Sequence, residues 1–167
     1  MHVRSERPAD IPQTHALNVA AFDSPIEANL VDALREQADV ISIVAEQDGH
    51  ILGHILFSPV RLTGADGLRA VGLAPMAVAP EHQRTGIGSA LVREGLAHCQ
   101  RQGVAAVFVV GHPEYYPRFG FRPASSFAGI TCEFEVPDEV FMALELAPAA
   151  LEGKVGRVFY HEAFRAT

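Results

Sequence analysis

The chain has 167 residues, of which 49% are hydrophobic, and a formal net charge of −7 with histidine neutral. This length predicts a single domain over residues 1–167, with enough apolar side chains for a continuous core. The acidic balance argues against a nucleic-acid surface and favours cationic partners such as amines, although solubility alone would also explain it.

The two cysteines, Cys99 and Cys132, are too few and too scattered for a disulfide framework or a metal knuckle. A reducing compartment is the expected setting, and both cysteines are predicted to be packing residues. The first residues, Met1 to Arg7, lack the apolar core of a signal peptide, and no later apolar run is long enough to span a membrane. We therefore expect a cytoplasmic protein without a membrane partner.

The N-terminal third predicts a short strand around Val3 and then two helices. The first helix begins near Pro8 and carries apolar residues to Phe22. Asp23, Ser24 and Pro25 interrupt it, and the second helix covers residues 26–37. Residues 40–46 and 50–60 then predict two strands. They are joined at Asp48-Gly49, a dipeptide that tolerates positive φ and favours a tight hairpin.

The segment from residue 69 to residue 103 predicts a strand, a polar loop and a helix. The strand runs to Val78, the loop covers Pro80 to Gly88, and the helix begins at Ser89 and ends at Gly103. The glycines in the loop let the backbone approach a ligand closely. Since the first N–H groups of a helix attract anions, the loop is predicted to bind a diphosphate.

Two other phosphate-binding motifs fit this loop poorly. A P-loop needs a lysine and then Ser or Thr after its last glycine, but Gly88 is followed by Ser89 and Ala90. A dinucleotide fingerprint needs a third glycine at the position of Leu91. Glycines that serve only a turn would not also require the Gln83-Arg84 pair and the helix start.

After the helix, residues 104–110 form an apolar run typical of a strand buried on both faces, parallel to the strand before the loop. A short helix is predicted from Pro113 to Phe119, followed by a strand from Phe121 that Pro123 limits. Further strands are predicted at residues 140–146 and 155–160, with a turn of helix at 148–151.

Two blocks of this sequence resemble a known family. Gln83, Arg84, Thr85, Gly86, Ile87 and Gly88, preceded by Val78 and Pro80, resemble the acetyl-CoA-binding motif of the GNAT superfamily of N-acetyltransferases. The segment Tyr115–Phe121 resembles the aromatic block that ends in Gly-Phe in the same family. The resemblance implies a small bacterial enzyme with an α+β, GNAT-like acyl-CoA N-acyltransferase fold. In that fold the sheet is mixed and mostly antiparallel, with helices on both faces.

The resemblance also implies acetyl-CoA as co-substrate, bound in a V-shaped opening between residues 76–78 and 104–110. An N–H near Ala77 would polarise the thioester carbonyl. The implied binding residues are Met76, Ala77, Val78, Gln83, Arg84, Thr85, Gly86, Ile87, Gly88 and Ser89. Arg84 is equally compatible with a solvated loop residue, since backbone amides can hold the diphosphate without it.

Three residues are candidates for the chemistry. Tyr116 matches the position at which the family often carries the general acid that protonates the thiolate of CoA, and Tyr115 is the weaker choice. His112 suits the general base, although a structural role as a helix cap explains it at least as well. Rival bases are Glu114, Glu81, His54 and a water chain, and no metal site is expected because no tight ligand spacing is present.

The predicted function is transfer of an acetyl group from acetyl-CoA to a primary amine by direct attack in a ternary complex. The acceptor is a small-molecule or protein amine whose identity the sequence does not specify. The alternative is a non-catalytic acyl-CoA-binding domain that regulates or scaffolds. A homodimer is compatible with either function, and neither cysteine should matter for turnover.

Overall fold

The computed structural model describes residues 1–166, which divide into two compact units. The first unit comprises Met1–Ser58, Ala74–His98 and the segment that begins at Glu162. The second comprises Pro59–Leu73 and Cys99–His161. The single domain expected from chain length stays a prediction.

The structure has three α-helices and nine strands within residues 1–166. The helices are α1 (Ile11–Phe22), α2 (Ile26–Arg35) and α3 (Ile87–Arg101). The strands are β1 (His2–Ser5), β2 (Ile41–Gln47), β3 (His50–Leu62), β4 (Ala70–Val78), β5 (Ala106–Val110), β6 (Arg122–Pro123), β7 (Ile130–Cys132), β8 (Phe141–Glu145) and β9 (Gly156–Phe159). Short 3₁₀ helices cover Pro8–Asp10, Pro80–His82, Tyr116–Phe119, Ala124–Phe127, Asp138–Val140 and Glu162–Ala166.

In the first unit the strand order is β1-β2-β3-β4, and β1, β2 and β3 pair antiparallel. The predicted hairpin between β2 and β3 is confirmed. Its two turn residues, Asp48 and Gly49, have φ values of 51° and 80°, as the Asp-Gly dipeptide predicts. Beyond the end of β4, the Ala79 N–H donates to the Leu52 carbonyl of β3 at 2.9 Å.

Helices cover both faces of the sheet in the first unit. Alternate residues of a strand point to opposite faces. Leu56 of β3 packs into a buried cluster with α2 residues such as Leu34, whereas Phe57 faces α3 at Gly95. These contacts confirm the predicted arrangement of helices on both faces of the sheet.

In the second unit the strand order is β4-β5-β8-β6. Residues Ala70–Gly72 of β4 pair parallel with Ala106–Phe108 of β5, which confirms the predicted parallel pair. Strand β8 pairs antiparallel with β5 and β6, the end of β3 pairs antiparallel with β9, and β9 pairs parallel with β7. Of the strand pairs named for the two units, five are antiparallel and two are parallel, so the mixed, mostly antiparallel sheet is also confirmed.

Three predictions for the second unit are wrong in detail. The predicted helix at Pro113 is a turn, and the 3₁₀ helix begins only at Tyr116, because the His112 carbonyl accepts N–H bonds from both Tyr115 and Tyr116. Residues 148–151 form a turn rather than helix. Val110, expected to be buried, is 42% exposed where β5 ends.

The cysteines and the membrane prediction can be checked against the same described residues. Cys99 is buried in α3 and Cys132 is partly buried in β7, and both are free thiols. Burial raises the pKa of the Cys99 thiol to about 12. Among residues 1–166, each helix is too short or too polar to span a bilayer.

Candidate active site

The candidate pantetheine-binding strand is the end of β4, which lies in the first unit. Because Ala79 N–H bonds to β3 and strand groups alternate, the peptide groups of Ala77 also face β3, and those of Met76 and Val78 face away from it. In agreement, the Ala77 carbonyl lies close to Gly53 of β3. Ala77 is buried, while Met76 and Val78 are partly exposed.

The loop that follows β4 bends through two residues with left-handed backbone. After the 3₁₀ turn Pro80–His82, Arg84 has φ 63° and Gly86 has φ 90°. Left-handed residues within a loop can turn successive N–H groups into one concavity, which is a common anion-binding geometry. Glycine adopts such a φ without strain, but Arg84 does so at a cost.

Helix α3 begins at Ile87, so the predicted start at Ser89 is wrong by two residues. The Gly86 carbonyl already accepts the Ala90 N–H at 3.1 Å and closes the first helical turn. Gly88 and Ser89 therefore belong to that turn rather than to the loop. The N–H groups of a first turn point away from the helix, toward the concavity of the loop.

The side chains of two predicted binding residues bond to the loop itself. Gln83 Nε2 donates to the Val78 carbonyl at 3.1 Å, and Thr85 Oγ1 donates to the His82 carbonyl at 2.5 Å. These bonds tie the loop to the end of β4 and leave backbone N–H groups as the main donors for an anion.

The space beside Gly86 fits a phosphate-bearing ligand. A Cβ built at Gly86 would have no other atom within 4 Å, so this side of the loop is open. The loop residues 83–86 are exposed, Ile87 at the start of α3 is buried, and the next residues, Gly88 and Ser89, are partly exposed. A helix N-terminus with an open, glycine-containing approach suits the diphosphate of CoA without a dedicated cation.

Two glycines that the sequence analysis did not single out allow α3 to pack closely against β3 in the first unit. A Cβ at Gly53 would lie 2.8 Å from both Ile87 Cγ2 and Leu91 Cδ1, and a Cβ at Gly95 would lie 2.5 Å from Phe57 Cε2. A glycine within a predicted strand is the one sequence signal for such close approach.

The three catalytic candidates lie in the second unit. Tyr116 is 7% exposed, at the start of its 3₁₀ helix. Burial and, less strongly, the neighbouring Tyr115 raise the pKa of its hydroxyl to about 12. Its ring makes edge contacts with Tyr115 and Phe121, at centroid distances of 5.1 and 5.6 Å.

Tyr115 and His112 are more exposed than Tyr116. The Tyr115 ring is partly buried, with the Arg118 guanidinium 5.1 Å from its centroid. His112 is exposed, and its carbonyl accepts the Tyr115 N–H at 3.1 Å and the Tyr116 N–H at 3.4 Å. The backbone of His112 therefore holds the turn that orients both tyrosines.

Gly111 leaves the space that the Tyr116 ring occupies. The sequence analysis did not identify this glycine. A Cβ at Gly111 would overlap Tyr116 Cε2 and lie 3.0 Å from Cδ2. The Gly111 N–H donates to the Val140 carbonyl at 2.9 Å, so the backbone there is fixed. Only glycine leaves room for the ring in this orientation.

Among the rival bases, His54 is fully buried and its ring is occupied. The Ser42 hydroxyl donates to Glu6 Oε1 and lies 2.8 Å from His54 Nε2. The Asn18 amide donates to the Thr14 carbonyl and lies 3.3 Å from His54 Nδ1. These bonds assign a neutral ring with its proton on Nε2, and burial lowers the pKa of His54 to about 4. His54 is therefore a structural residue.

The other rival bases, Glu81 and Glu114, are both exposed. Glu81 lies in the first unit, within the 3₁₀ turn Pro80–His82 at the start of the diphosphate loop, and Glu114 lies in the second unit within the turn before Tyr116. Within residues 1–166, His, Cys, Asp and Glu side chains form no group of three or more arranged to hold a metal ion.

Comparison with known proteins gives these features a family. The family model described as acetyltransferase (GNAT) family matches residues 11–121, which include the diphosphate loop and both tyrosines. The chain belongs to the acetyltransferase (GNAT) family. It is 40% identical over 166 residues to the uncharacterized N-acetyltransferase YhbS of Escherichia coli K12, covering 98% of each chain. The chain is therefore an acyltransferase, as the sequence predicts.

Two solved structures support the same fold. The crystal structure of Escherichia coli YhbS in complex with CoA matches with a TM-score of 0.92 at 39% identity, covering 98% of this chain and 91% of that one. A GNAT family acetyltransferase from Brucella melitensis in complex with acetyl-CoA matches with a TM-score of 0.80 at 38% identity, covering 98% and 97%. The predicted GNAT fold is confirmed.

Proposed function

We propose that this GNAT acyltransferase moves an acetyl group from acetyl-CoA to a primary amine by direct attack in a ternary complex. The observation that carries the proposal is the backbone concavity formed by the loop before α3 and its first turn. It offers N–H groups and an open approach at Gly86 to a diphosphate. The CoA and acetyl-CoA complexes of the two similar structures support the same co-substrate.

The diphosphate would be held by backbone amides of the predicted loop residues Arg84 to Ser89, and Gln83 would position the loop. The pantetheine arm would pair with the end of β4 like an added strand. Since the Ala77 peptide groups face β3, Met76 and Val78 would present the free edge. The N–H that polarises the thioester carbonyl would then come from Met76 or Val78, next to the predicted Ala77.

In the proposed reaction the amine nitrogen attacks the thioester carbonyl carbon, so that a C–N bond forms and the C–S bond breaks. The departing sulfur takes a proton from the Tyr116 hydroxyl. Burial raises the pKa of this phenol to about 12, so it carries its proton at neutral pH, as an ordinary tyrosine also does. Tyr115, which is more exposed, is the second candidate.

The acceptor ammonium would first lose one proton to His112 or to a water chain, and the proton that leaves the nitrogen after attack would replace the one that Tyr116 gives to the sulfur. His112 is exposed and its backbone holds the tyrosine turn, and Glu114 lies two residues further along that turn. The acceptor would be an uncharged amine at the moment of attack, either a small molecule or a protein amine.

Thermal-shift titration with acetyl-CoA, CoA, ATP and NAD tests the ligand. A ligand that binds only the folded state stabilises it by about 2.7 kcal/mol at about a hundred times its Kd. We expect acetyl-CoA and CoA to raise the Tm, and ATP and NAD to leave it unchanged. Stabilisation by ATP or NAD but not by CoA would overturn the proposal.

Release of CoA thiol from acetyl-CoA in the presence of a panel of amines tests the reaction. A transferase releases thiol only when a suitable amine is present. A non-catalytic acyl-CoA-binding domain would bind acetyl-CoA in the thermal-shift assay and release no thiol with any amine of the panel.

A further inference from the structure

Gly53 of β3 lies between two parts of the proposed acetyl-CoA site in the first unit. A Cβ at this position would lie 2.8 Å from Ile87 Cγ2, in the first residue of α3, and 2.8 Å from Leu91 Cδ1. The same Cβ would lie 3.4 Å from the carbonyl oxygen of Ala77 in β4. A side chain added at Gly53 would therefore contact both the helix that would bind the diphosphate and the strand that would bind pantetheine.

Gly53 is needed for space rather than for backbone conformation. Its φ is not among the positive values of the chain, so any residue could adopt its backbone. Gly86 is the opposite case, with φ 90° and open space where a Cβ would stand. The role of Gly53 is thus a close approach of α3 to the sheet.

We infer that Gly53 is a positioning residue for CoA: its missing side chain sets the spacing between the first turn of α3 and the end of β4. The inference rests on the proposed function. CoA would span this distance, with its diphosphate at α3 and its pantetheine at β4. A change in this spacing would therefore weaken the binding of intact CoA more than the binding of either half of CoA alone.

The surroundings of Gly53 make the start of α3, at Ile87, the part that an added Cβ would displace. Gly53 is fixed in the sheet by its pairing with Ala45 of β2. Leu91 Cδ1 ends a flexible side chain and can rotate away, whereas Ile87 Cγ2 is one bond from Cβ in a β-branched side chain that is only 6% exposed, so relief there displaces Ile87 itself. A contact of 2.8 Å between carbon atoms is too short for van der Waals packing, and relieving it requires a shift of about 1 Å. Such a shift is enough to break amide–phosphate hydrogen bonds, whose lengths vary by only about half an ångström.

Gly95 offers a matched control on the same helix. A Cβ at Gly95 would lie 2.5 Å from Phe57 Cε2 and 2.7 Å from Phe57 Cζ, so it meets β3 at least as closely. Gly95 lies about two helical turns after Ile87, away from the diphosphate loop. Its substitution disturbs the same α3–β3 packing without bordering the proposed ligand site.

The experiment measures CoA binding by calorimetry and stability by urea unfolding for Gly53→Ala and Gly95→Ala. We expect Gly53→Ala to raise the Kd of CoA about tenfold, the loss of one or two hydrogen bonds. Gly95→Ala should leave that Kd within about twofold of wild type, whatever its effect on unfolding. Equal weakening by both variants, or unchanged CoA affinity in Gly53→Ala, would overturn the inference.

A second measurement separates spacing from general damage. Pantetheine and 3′-phospho-ADP, the half of CoA that carries the diphosphate, should compete with CoA equally well in wild type and in Gly53→Ala. Loss of binding of either half alone would show local damage and overturn the spacing role. If the wild-type protein bound no CoA, the proposed function would fail instead, so the two failures are distinguishable.

A rescue design covers the case in which Gly53→Ala does not fold. Leu91→Ala removes the Cδ1 atom that a Cβ at residue 53 would meet. The double variant Gly53→Ala, Leu91→Ala is then compared with Leu91→Ala alone. Weaker CoA binding in the double variant supports the inference, because the contact with Ile87 remains. Equal CoA binding in these two variants overturns it.

Discussion

The diphosphate loop and the tyrosine segment differ in the groups that would contact the ligand: backbone N–H groups in the loop and one side-chain hydroxyl in the tyrosine segment. The loop, residues 80–86, is largely exposed and, with the first turn of α3, would bind its ligand through backbone N–H groups, while Gln83 and Thr85 turn their side chains back onto the loop. The tyrosine segment, residues 112–121, would act through one side chain. Tyr116 is buried, and its ring is placed by its neighbours.

This difference predicts how each region responds to substitution. A site made of backbone groups tolerates changes of polar side chains but not an added Cβ that fills the ligand space. A site made of one hydroxyl tolerates small changes around it but not the loss of that oxygen. Binding and turnover should therefore be separable by substitutions in the two regions.

The largest effect is expected from Tyr116→Phe, which keeps the ring and removes the hydroxyl. If that hydroxyl protonates the departing thiolate, kcat should fall about a hundredfold, the usual range for a positioned general acid. The Kd of acetyl-CoA should stay nearly constant. Steady-state kinetics with the best amine of the panel, combined with calorimetry, measures both quantities.

Tyr115→Phe is the matched control for this substitution. It removes a hydroxyl from the adjacent ring, which packs edge-on against Tyr116. If Tyr115→Phe loses turnover while Tyr116→Phe does not, the assignment is wrong by one residue. If both variants are fully active, a water protonates the thiolate and the tyrosines are structural.

A smaller effect, on binding alone, is expected from Gly88→Val in the first turn of α3. A branched side chain there would occupy the space that the diphosphate needs, and the Kd of CoA should rise about tenfold or more. Free energy of unfolding, measured in urea, should change much less than the free energy of binding.

Gly88→Ala provides a graded comparison for Gly88→Val. Alanine adds one methyl group and favours helix, so it should stabilise the fold slightly while weakening CoA less than valine does. Unchanged CoA affinity in Gly88→Val would place the diphosphate elsewhere and separate the loop from binding altogether.

A third test uses pH to distinguish the two regions. Burial raises the pKa of the Tyr116 hydroxyl to about 12, so this group stays protonated as pH rises through the range in which an ordinary tyrosine ionises. In wild type, kcat should therefore show no decline due to Tyr116 between about pH 9 and 11. Backbone amides do not titrate there, so the binding contribution of the loop should also stay constant. A decline of kcat near pH 10 that Tyr116→Phe abolishes would contradict the raised pKa.

The loop was predictable from sequence because its geometry is local. Gly86, the start of a helix within a few residues, and the strand before it all follow from neighbouring residues. Only the helix boundary was wrong, at Ile87 rather than Ser89, because the Gly86 carbonyl closes the first turn earlier than the glycine pattern suggests. The hairpin and the parallel strand pair followed from the same kind of local pattern, whereas the GNAT fold was implied by the resemblance of two sequence blocks to the family.

The residues that pack behind the two regions, such as Gly53 and His54, were not predictable because their roles depend on contacts between residues that are distant in sequence. Gly53 is far in sequence from Ile87, and the need for glycine there arises only when α3 lies on β3. The burial of His54 depends likewise on Asn18 and Ser42, each on another element. Sequence alone could not distinguish this histidine from an accessible base.

The smallest effect on kcat is expected from replacing both cysteines. This substitution tests whether the acetyl group is transferred directly, without a covalent enzyme intermediate. Direct attack by the amine requires no covalent enzyme intermediate, so Cys99→Ala with Cys132→Ala should leave kcat unchanged. Burial raises the pKa of both thiols, that of Cys99 to about 12, which keeps the reactive thiolate scarce at neutral pH.

Stability is the expected cost of this double substitution. Cys99 is fully buried in α3, and its loss should leave a small cavity that lowers the free energy of unfolding by about 1 kcal/mol. Kinetics are therefore measured well below the Tm of the variant, with acetyl-CoA affinity as the control for folding. A variant that binds acetyl-CoA normally but no longer releases thiol would require a cysteine intermediate, because neither the backbone loop nor Tyr116 would have changed.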